Sequence, residues 1–452
     1  MRLLGILLFL CSFEAFGLEL KNSFARELSP GRFELMEYVH SRPPEFHLPV
    51  GGRWKKCRFM GKACQGAVIS LHVPEGLILK HQKRFFEASY FLKGKMETFV
   101  IELFSSPSPE CLSVGESGLS HPLIFAMIPK TNLNQPGSFL FILSGKARVT
   151  FFRRLTEIGS DFRPHVFGGK VWYSYFLMKE GIENVGGSGP RVILDENFHF
   201  VRKIDLELDG HEFLLLGPDH WMGIEIELDR LRNGLSYLNK IIRERKNGKI
   251  LFEYSVKDYL KEMKSELTSS IVLTSFRGEV VAEILHINSL QILKEDKLLI
   301  GMAYNGVGLL DKTRRKLDWQ LAGLYDDFHL PIFQNPLFEH SAVLNEDGEL
   351  CLFSNLTPSH RGLVTKVFCL KLDQERKLVT NFRMIRDQNE TTSMMGGVQI
   401  IEKRANIFFG LKKEAPFDFI EMFEGKDVWK IRFGEDWVAY RFYRAPQGEY
   451  GF

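Results

Sequence analysis

The chain has 452 residues, of which 44% are hydrophobic and 25% charged, and its formal net charge at pH 7 is +3. This composition is typical of a globular protein, and the lack of a basic stripe argues against nucleic acid as a partner. The 39 Phe, 12 Tyr and 6 Trp favour strands with aromatic faces, and the length predicts more than one domain or one large propeller.

Residues 1–17 have the pattern of a signal peptide. Arg2 supplies the positive charge, residues 3–10 form a short apolar core, and residues 15–17 (AFG) provide the cleavage positions. The apolar run is too short to span a bilayer, and no later stretch of the sequence reaches that length. We therefore expect an exported chain, periplasmic or secreted, without stable insertion in a membrane.

Five cysteines follow the one in the expected signal: Cys57, Cys64, Cys111, Cys351 and Cys369. Cys57 and Cys64 flank a short Gly-containing loop, where an oxidising compartment would favour a disulfide. Cys351 and Cys369 lie in consecutive strand patterns, and they could either pair or stay as buried thiols. No Cys or His spacing fits a zinc site, so we predict no metal site.

Residues 18–150 carry strand patterns separated by turn clusters such as SSPSP at 105–109. The clearest strand patterns lie at 67–73, 97–103 and 139–143. We predict a small β-sandwich-like domain here, with no chemical role. Residues 151–452 are predicted to form a β-propeller that carries the functional site.

Four later segments share one design, in which a strand, a tight polar turn and a second strand follow each other. They open at His211, His286, His340 and Gly397, so the steps are 75, 54 and 57 residues. Repeats of roughly 40–50 residues with several short strands are typical of a β-propeller, and the length allows six blades. Residues 256–266 have helical spacing and are predicted as an insertion that lengthens the first step.

The common phase of three histidines is the main functional signal. In a propeller, residues at the same phase of successive inner strands meet at one mouth of the central channel. We therefore predict that the imidazoles of His211, His286 and His340 lie close together. A single histidine that opens a strand is usually a surface or capping residue, whereas three at one phase favour a site. The histidines without a shared phase are interpreted as structural: His165, His199, His220, His329 and His360.

Eight short motifs, taken in order, resemble the bacterial arylsulfotransferases, which are periplasmic propeller enzymes with aryl sulfate donors, and their secreted relatives. The motifs are LDGHEF (208–213), GKILFEY (248–254), LHINSL (285–290), LDWQLAG (317–323), DFHLP (327–331), LFSN (352–355), SHR (359–361) and GGVQ (396–399). The resemblance covers about residues 160–412, and it depends on order and spacing together. An N-terminal β-sandwich is also in keeping with this family.

The resemblance implies a ping-pong transfer of a sulfuryl group from an aryl sulfate to a phenol, without a nucleotide donor or other cofactor. His340 matches the family's nucleophile, which becomes a sulfohistidine. His211, His286 and Asn288 match residues that bind the sulfuryl oxygens or assist the phenol. The chemistry is sound, because a neutral imidazole is a competent nucleophile near pH 7 and donors must surround oxygens that gain charge.

One departure from the family concerns an arginine that follows the His-x-Asn-Ser motif. Its position falls at Ala303 in this sequence, so the guanidinium that would clamp the sulfate is missing. Loss of one such donor often costs ~10²–10³ in rate. Tyr304 could donate a hydroxyl instead, and Arg361 could reach the site from the next blade.

Two hypotheses follow. The first is an exported sulfotransferase whose partners are a small aryl sulfate and a phenol, with a homodimer as a further assembly to test. The second is a catalytically silent propeller of the same family that serves as a binding or scaffold protein. The missing arginine favours the second, and the three histidines with Asn288 favour the first. A quinone-cofactor dehydrogenase is disfavoured, because the eight-fold tryptophan repeat and the calcium-type carboxylate cluster are missing from the sequence.

Overall fold

The computed structural model of the chain consists almost entirely of strands, with one helix among the described residues. It describes the following residues: 19–20, 25–29, 32–39, 45–47, 53–57, 68–70, 83–92, 95–105, 113–114, 122–129, 137–144, 149–178, 187–232, 234–263, 272–276, 278–294, 296–323, 325–331, 334–336, 338–360, 362–387, 391–412, 418–432 and 437–444. The predicted signal peptide, Cys64, Cys111 and Arg361 lie outside these residues.

The chain divides into two compact units, residues 1–108 and residues 109–452. The strands of the first unit are β1 (Glu19–Leu20), β2 (Ala25–Ser29), β3 (Arg32–Leu35), β4 (Glu37–Val39), β5 (Glu45–His47), β6 (Arg53–Cys57), β7 (Val68–Ser70), β8 (Lys83–Leu92) and β9 (Lys95–Ser105). They include one sheet in the order β1-β5-β7 and one in the order β2-β3-β9-β8-β6. The β-sandwich arrangement stays a prediction.

The second unit contains successive sheets of mainly antiparallel strands, each of which runs outwards from an inner strand. Its first strands are β10 (Ser113–Val114), β11 (Leu123–Pro129), β12 (Phe139–Leu143), β13 (Val149–Arg154), β14 (Gly159–Phe167), β15 (Lys170–Leu177), β16 (Ser188–Leu194), β17 (Phe200–Gly217), β18 (His220–Arg230), β19 (Ser236–Lys246) and β20 (Lys249–Ser255). The first half of β17 pairs with β16 and the second half with β18, so one long strand passes from one sheet region to the next.

The remaining strands continue this pattern. They are β21 (Val272–Phe276), β22 (Glu279–Glu283), β23 (His286–Lys294), β24 (Lys297–Ala303), β25 (Gly306–Asp311), β26 (Lys316–Leu321), β27 (Phe338–Leu344), β28 (Glu349–Ser359), β29 (Gly362–Asp373), β30 (Leu378–Asp387), β31 (Thr392–Ile401), β32 (Arg404–Lys412), β33 (Asp418–Phe423), β34 (Lys426–Arg432), β35 (Trp437–Val438) and β36 (Phe442–Arg444). The groups β23–β26, β27–β30 and β31–β34 are four-stranded meanders. The four hairpins predicted from the repeated design all form.

The inner strands form a closed ring. In order, β14, β17, β23, β27, β31 and β36 contact their neighbours, and β36 also contacts β14. The C-terminal β36 pairs with β11, so strands from the two ends of this unit complete one sheet. An all-β chain whose sheets radiate from a ring of inner strands is a β-propeller, as predicted. The number of blades stays a prediction, which the order of the inner strands supports.

The unit boundary differs from the expected one at residue 150. Strands β11 and β12 and the start of β13 fall within residues 18–150, the range of the predicted N-terminal domain, but they lie in the second unit. The reason is the pairing of β11 with β36, in which Phe125 lies opposite Phe442. The sequence shows no repeat here, because this sheet is assembled from distant segments.

The one helix of the described residues, α1 (Val256–Met263), lies where helical spacing predicted an insertion. Ser255 and Asp258 cap it reciprocally, since Ser255 N donates to the Asp258 carboxylate (2.9 Å) and Asp258 N donates to Ser255 Oγ (3.3 Å). Val256 and Tyr259 are its buried residues. Within the described ranges, no helix has the length and apolar character needed to cross a membrane.

Cys351 and Cys369 form a disulfide between strands β28 and β29, where they lie directly opposite each other. The alternative of two buried free thiols is therefore wrong. Glu349 lies close to both sulfurs, but cysteines in a disulfide do not supply thiolate ligands for a metal.

We expect the double substitution Cys351→Ser/Cys369→Ser to lower the free energy of unfolding by about 3 kcal/mol, because the disulfide closes a loop of 18 residues in the unfolded chain. Denaturant unfolding with and without a reductant measures this effect. If the reductant still lowers the stability of the double variant, that remaining effect is due to the other cysteines. Equal stability of the two proteins would contradict the prediction.

Candidate functional site

The structure brings the three predicted histidines together. The ring centroids of His211 and His286 are 4.5 Å apart, and those of His211 and His340 are 6.4 Å apart. The three residues lie on the neighbouring inner strands β17, β23 and β27, and all are buried. The three histidines, which occupy the same position in successive repeats, therefore lie together in the folded protein.

His340 presents a neutral imidazole with a defined tautomer. Its Nδ1 lies 3.0 Å from the carbonyl oxygen of Gly396, so Nδ1 carries the hydrogen and Nε2 keeps its lone pair. Burial, assisted by Arg441, holds the pKa of His340 well below its usual value. Gly396 can turn its carbonyl to this position because its φ is +118°, and a Cβ there would overlap the ring of Phe353.

His211 and His286 face each other through Nε2 atoms that are 3.1 Å apart. On the opposite side of each ring, Nδ1 contacts a carboxylate, Asp209 for His211 and Glu283 for His286 (2.9 Å). The buried Lys240 connects the two carboxylates, with Nζ 2.8 Å from Asp209 and 2.6 Å from Glu283. The five groups therefore form one closed ionic network.

The charges in this network shift its pKa values. Burial alone would raise the pKa of both carboxylates. Contacts with His211 and Lys240 instead hold the pKa of Asp209 far below its usual value, and contacts with Lys240 and His286 lower the pKa of Glu283 to about 2. Burial lowers the pKa of His211 to about 4 despite Asp209. Two carboxylates raise the pKa of Lys240 although burial opposes them. Asp209, Glu283 and Lys240 are therefore all charged at neutral pH.

Tyr440 packs against the histidine cluster from the C-terminal segment of the chain. Its ring centroid is 5.7 Å from that of His211 and 5.8 Å from that of His340. Its hydroxyl is buried without a hydrogen-bond partner within the described part of the protein. Burial raises the pKa of Tyr440 well above its usual value, so the hydroxyl stays protonated and can donate.

Arg441 forms hydrogen bonds with three of the inner strands, β17, β23 and β27. Its guanidinium donates to the carbonyl oxygens of His211 (3.0 Å), Asn288 and His340 (3.3 Å), and to the carboxylate of Glu212 (2.8 Å). One side chain therefore holds the backbone at three site residues. Beyond Arg441, a cavity of ≈280 Å³ continues along the same inner strands, and the three histidines do not line it.

The other predicted site residues have different environments. Asn288 is fully buried, and its amide donates to the carbonyl of Glu339 (2.7 Å), which links β23 to β27. Tyr304 is 37% exposed and packs edge-on against Phe338 at 4.8 Å, at the outer side of the cluster. Ala303, the position of the family arginine, is buried directly opposite His286 in the β23–β24 pair.

Sequence reasoning missed the residues that support the histidines. An acidic residue lies two or three positions before His211 and His286, and this local pattern could have revealed Asp209 and Glu283. Lys240 lies in a strand with several other polar and charged residues, SYLNKIIRERK (236–246), so no comparable local pattern marks it. Tyr440 and Arg441 follow the last repeat, and no local pattern connects them with the site.

The comparisons with known proteins bear on family and fold. The sequence profile of the arylsulfotransferase (ASST) family matches residues 241–434. No curated protein matches the chain.

Solved structures that are similar include the β-propeller domain of Cps50 (Swd1) from Myceliophteria thermophila, with 10% identity, 74% of this chain and 90% of that chain covered, and a TM-score of 0.36. A quinonprotein alcohol dehydrogenase-like protein from Bacteroides thetaiotaomicron has 11% identity, 94% and 98% coverage, and a TM-score of 0.37.

The matched segment carries His286, His340 and Asn288, while His211, Tyr440 and Arg441 lie outside it. The profile therefore supports an arylsulfotransferase-like function with small-molecule substrates for this part of the chain. The chain is similar to the arylsulfotransferase family over residues 241–434, which is less than half of its length.

Proposed function

We propose that the protein is an exported aryl-sulfate sulfotransferase that works by a ping-pong mechanism through a sulfohistidine at His340. The observation that carries this proposal is the neutral imidazole of His340, whose Nε2 lone pair is free. The rings of His211 and Tyr440 lie beside it, and His286 contacts His211. This is a nucleophile with donors around it, inside a segment of the matching family.

In the first half-reaction, His340 Nε2 attacks the sulfur of the aryl sulfate. The N–S bond forms while the bond between sulfur and the aryl oxygen breaks, and its electron pair leaves with that oxygen. In the second half-reaction, a phenol oxygen attacks the same sulfur and the N–S bond breaks, so His340 is regenerated. Burial of the cluster limits competing hydrolysis of the intermediate.

The neighbouring residues supply donors to the sulfuryl oxygens. The Tyr440 hydroxyl has no competing partner within the described structure, and the second amide hydrogen of Asn288 is a further donor. At the outer side of the cluster, Tyr304 and Phe338 offer aromatic faces to the aryl group. We assign Arg361, which lies outside the described residues, to the same substrate-binding role.

The test uses the full chain with 4-nitrophenyl sulfate and a phenol acceptor. We expect acceptor-dependent release of 4-nitrophenol, and donor alone should add the mass of one sulfuryl group on His340. His340→Ala should abolish both results, whereas the exposed His199→Ala should change neither. Turnover that survives in His340→Ala would rule out this nucleophile.

A silent propeller of the same family is the second candidate. Ala303 favours it, since no guanidinium lies opposite His286. The Nη1 and Nη2 donors of Arg441 are engaged by backbone carbonyls and Glu212. In that case, neither chromophore release nor sulfation of His340 should occur, while aryl sulfates could still bind. Chromophore release and sulfation of His340 therefore separate the two cases, and calorimetry with 4-nitrophenyl sulfate measures the binding that a silent propeller would retain.

A further inference from the structure

We infer that Lys240 is a positioning residue that makes His211 and His286 hold one proton between their facing Nε2 atoms. No other residue connects the two carboxylates behind these histidines within the described structure. The use of this proton in catalysis rests on the proposed function, whereas its presence does not.

The geometry fixes the tautomers. A ring nitrogen that lies 2.9 Å from a carboxylate oxygen must carry a hydrogen, so Nδ1 of His286 is a donor to Glu283. The same holds for Nδ1 of His211 beside Asp209. Without a further proton, two lone pairs would face each other across the 3.1 Å between the Nε2 atoms. One proton there turns the repulsion into a charge-assisted hydrogen bond.

The charge balance of the network also requires one proton on the histidine pair. Asp209 and Glu283 contribute two negative charges and Lys240 one positive charge, which leaves one negative charge in a buried site. One proton on the histidine pair brings the sum to zero. No proton or two protons would leave an uncompensated charge away from water, which is costly.

The other groups that face the pair lie outside this five-group network. The charged and titratable neighbours from adjacent elements are His340 on β27, Tyr440 and Arg441 from the C-terminal segment, Tyr304 after β24, and Glu212 on β17. His340 and Tyr440 are neutral, and Arg441 lies 2.8 Å from Glu212, a carboxylate that also contacts Arg163.

This proton completes the balance of the transfer reaction. In the first half-reaction, the pair gives its proton to the leaving aryl oxygen, so a neutral phenol departs. In the second, the attacking phenol returns a proton to the pair as its oxygen bonds to sulfur. The pair ends each cycle with one proton, and no external acid or base is consumed.

The primary test counts protons without any substrate. Ring ¹⁵N and ¹³C shifts of His211 and His286 are followed from pH 5 to 9 in the full chain, with His211→Gln and His286→Gln used for assignment. We expect the wild type to hold one shared proton at pH 7. Lys240→Met should take up a second proton, because two carboxylates then lack a cation. Independent titration of both rings in the wild type, or unchanged spectra in Lys240→Met, would overturn the inference.

Two further variants separate charge from structure. Lys240→Met/Asp209→Asn removes one charge of each sign and should restore the one-proton state, and it also serves if Lys240→Met alone fails to fold. Lys297→Met is the matched control, because Lys297 also joins two carboxylates, Asp311 (2.6 Å) and Asp318 (2.8 Å), but at the opposite end of the β23–β24 hairpin. Its spectra for the pair should equal those of the wild type.

The link to catalysis has its own readout. At pH 7, Lys240→Met should lower kcat for aryl sulfates by about 10²-fold with little change in KM, and it should displace the pH profile. If the wild type neither turns over aryl sulfates nor becomes sulfated, the proposed function fails, while the spectra still decide the proton count.

Discussion

Arg441→Met is expected to lower the free energy of unfolding by about 3–5 kcal/mol. The substitution removes the donor for the carbonyls of His211, Asn288 and His340 in a buried site, and it leaves Glu212 with less compensation. Because these carbonyls belong to the site strands, sulfuryl transfer should fall as well. Denaturant unfolding followed by tryptophan fluorescence measures the first effect.

Arg314→Met is a matched control for Arg441→Met. Arg314 also contacts carboxylates, those of Asp311 and Asp318, but its side chain is 61% exposed. Water replaces such contacts readily, so we expect little change in stability. If both substitutions had equally small effects, Arg441 would not hold the inner strands together.

Glu339→Gln should make the stability of the protein much less dependent on pH between pH 5 and pH 8. Burial raises the pKa of Glu339 from its ordinary 4.5 to about 8, although Arg441 and Ser289 act in the opposite direction. The carboxyl lies over Gly301, where a Cβ would overlap both it and Ser289. The folded protein therefore keeps a proton here at pH 7.

The sign of the effect follows from proton linkage. Between pH 4.5 and 8 the unfolded chain has lost the proton that the folded protein retains, so the free energy of unfolding falls by ~1.4 kcal/mol per pH unit. This contribution is fully present below pH 4.5 and is lost as the pH approaches 8. Because glutamine does not ionise, Glu339→Gln should gain about 4 kcal/mol relative to the wild type between pH 5 and pH 8.

Unfolding curves at pH 5, 6, 7 and 8 check this expectation. Glu349→Gln is the control, because the hydrogen bond from Arg383 lowers the pKa of Glu349, which is therefore ionised throughout this range. Its difference from the wild type should be independent of pH. A flat difference for Glu339→Gln as well would mean that Glu339 is ionised in the folded protein.

The sequence was sufficient to predict the elements that repeat. The hairpins that open near His286 and His340, the helix after Ser255 and the all-β class depend on local patterns of apolar residues and turns, and they form as predicted. The proximity of the three imidazoles was also predictable from the repeat. Residues at the same position of successive inner strands lie next to each other in the ring.

The parts that were missed depend on distant contacts. The extent of the second unit requires the pairing of Phe125 with Phe442, which no local pattern reveals. In the same way, Lys240 acquires its role only when Asp209 and Glu283 arrive from other strands. Propensity and periodicity describe short windows of sequence, so they do not report such long-range pairs.

The position of β36 has a consequence for how the protein folds. The hydrogen bond from Arg441 to the carbonyl of His211 joins residues 230 apart in sequence. The chain between them must therefore fold before this bond can form. Until β36 joins the sheet, β11 keeps an open strand edge, which is prone to pair with other chains. We therefore expect folding to be slow and to benefit from chaperones, with the histidine cluster completed in one late step.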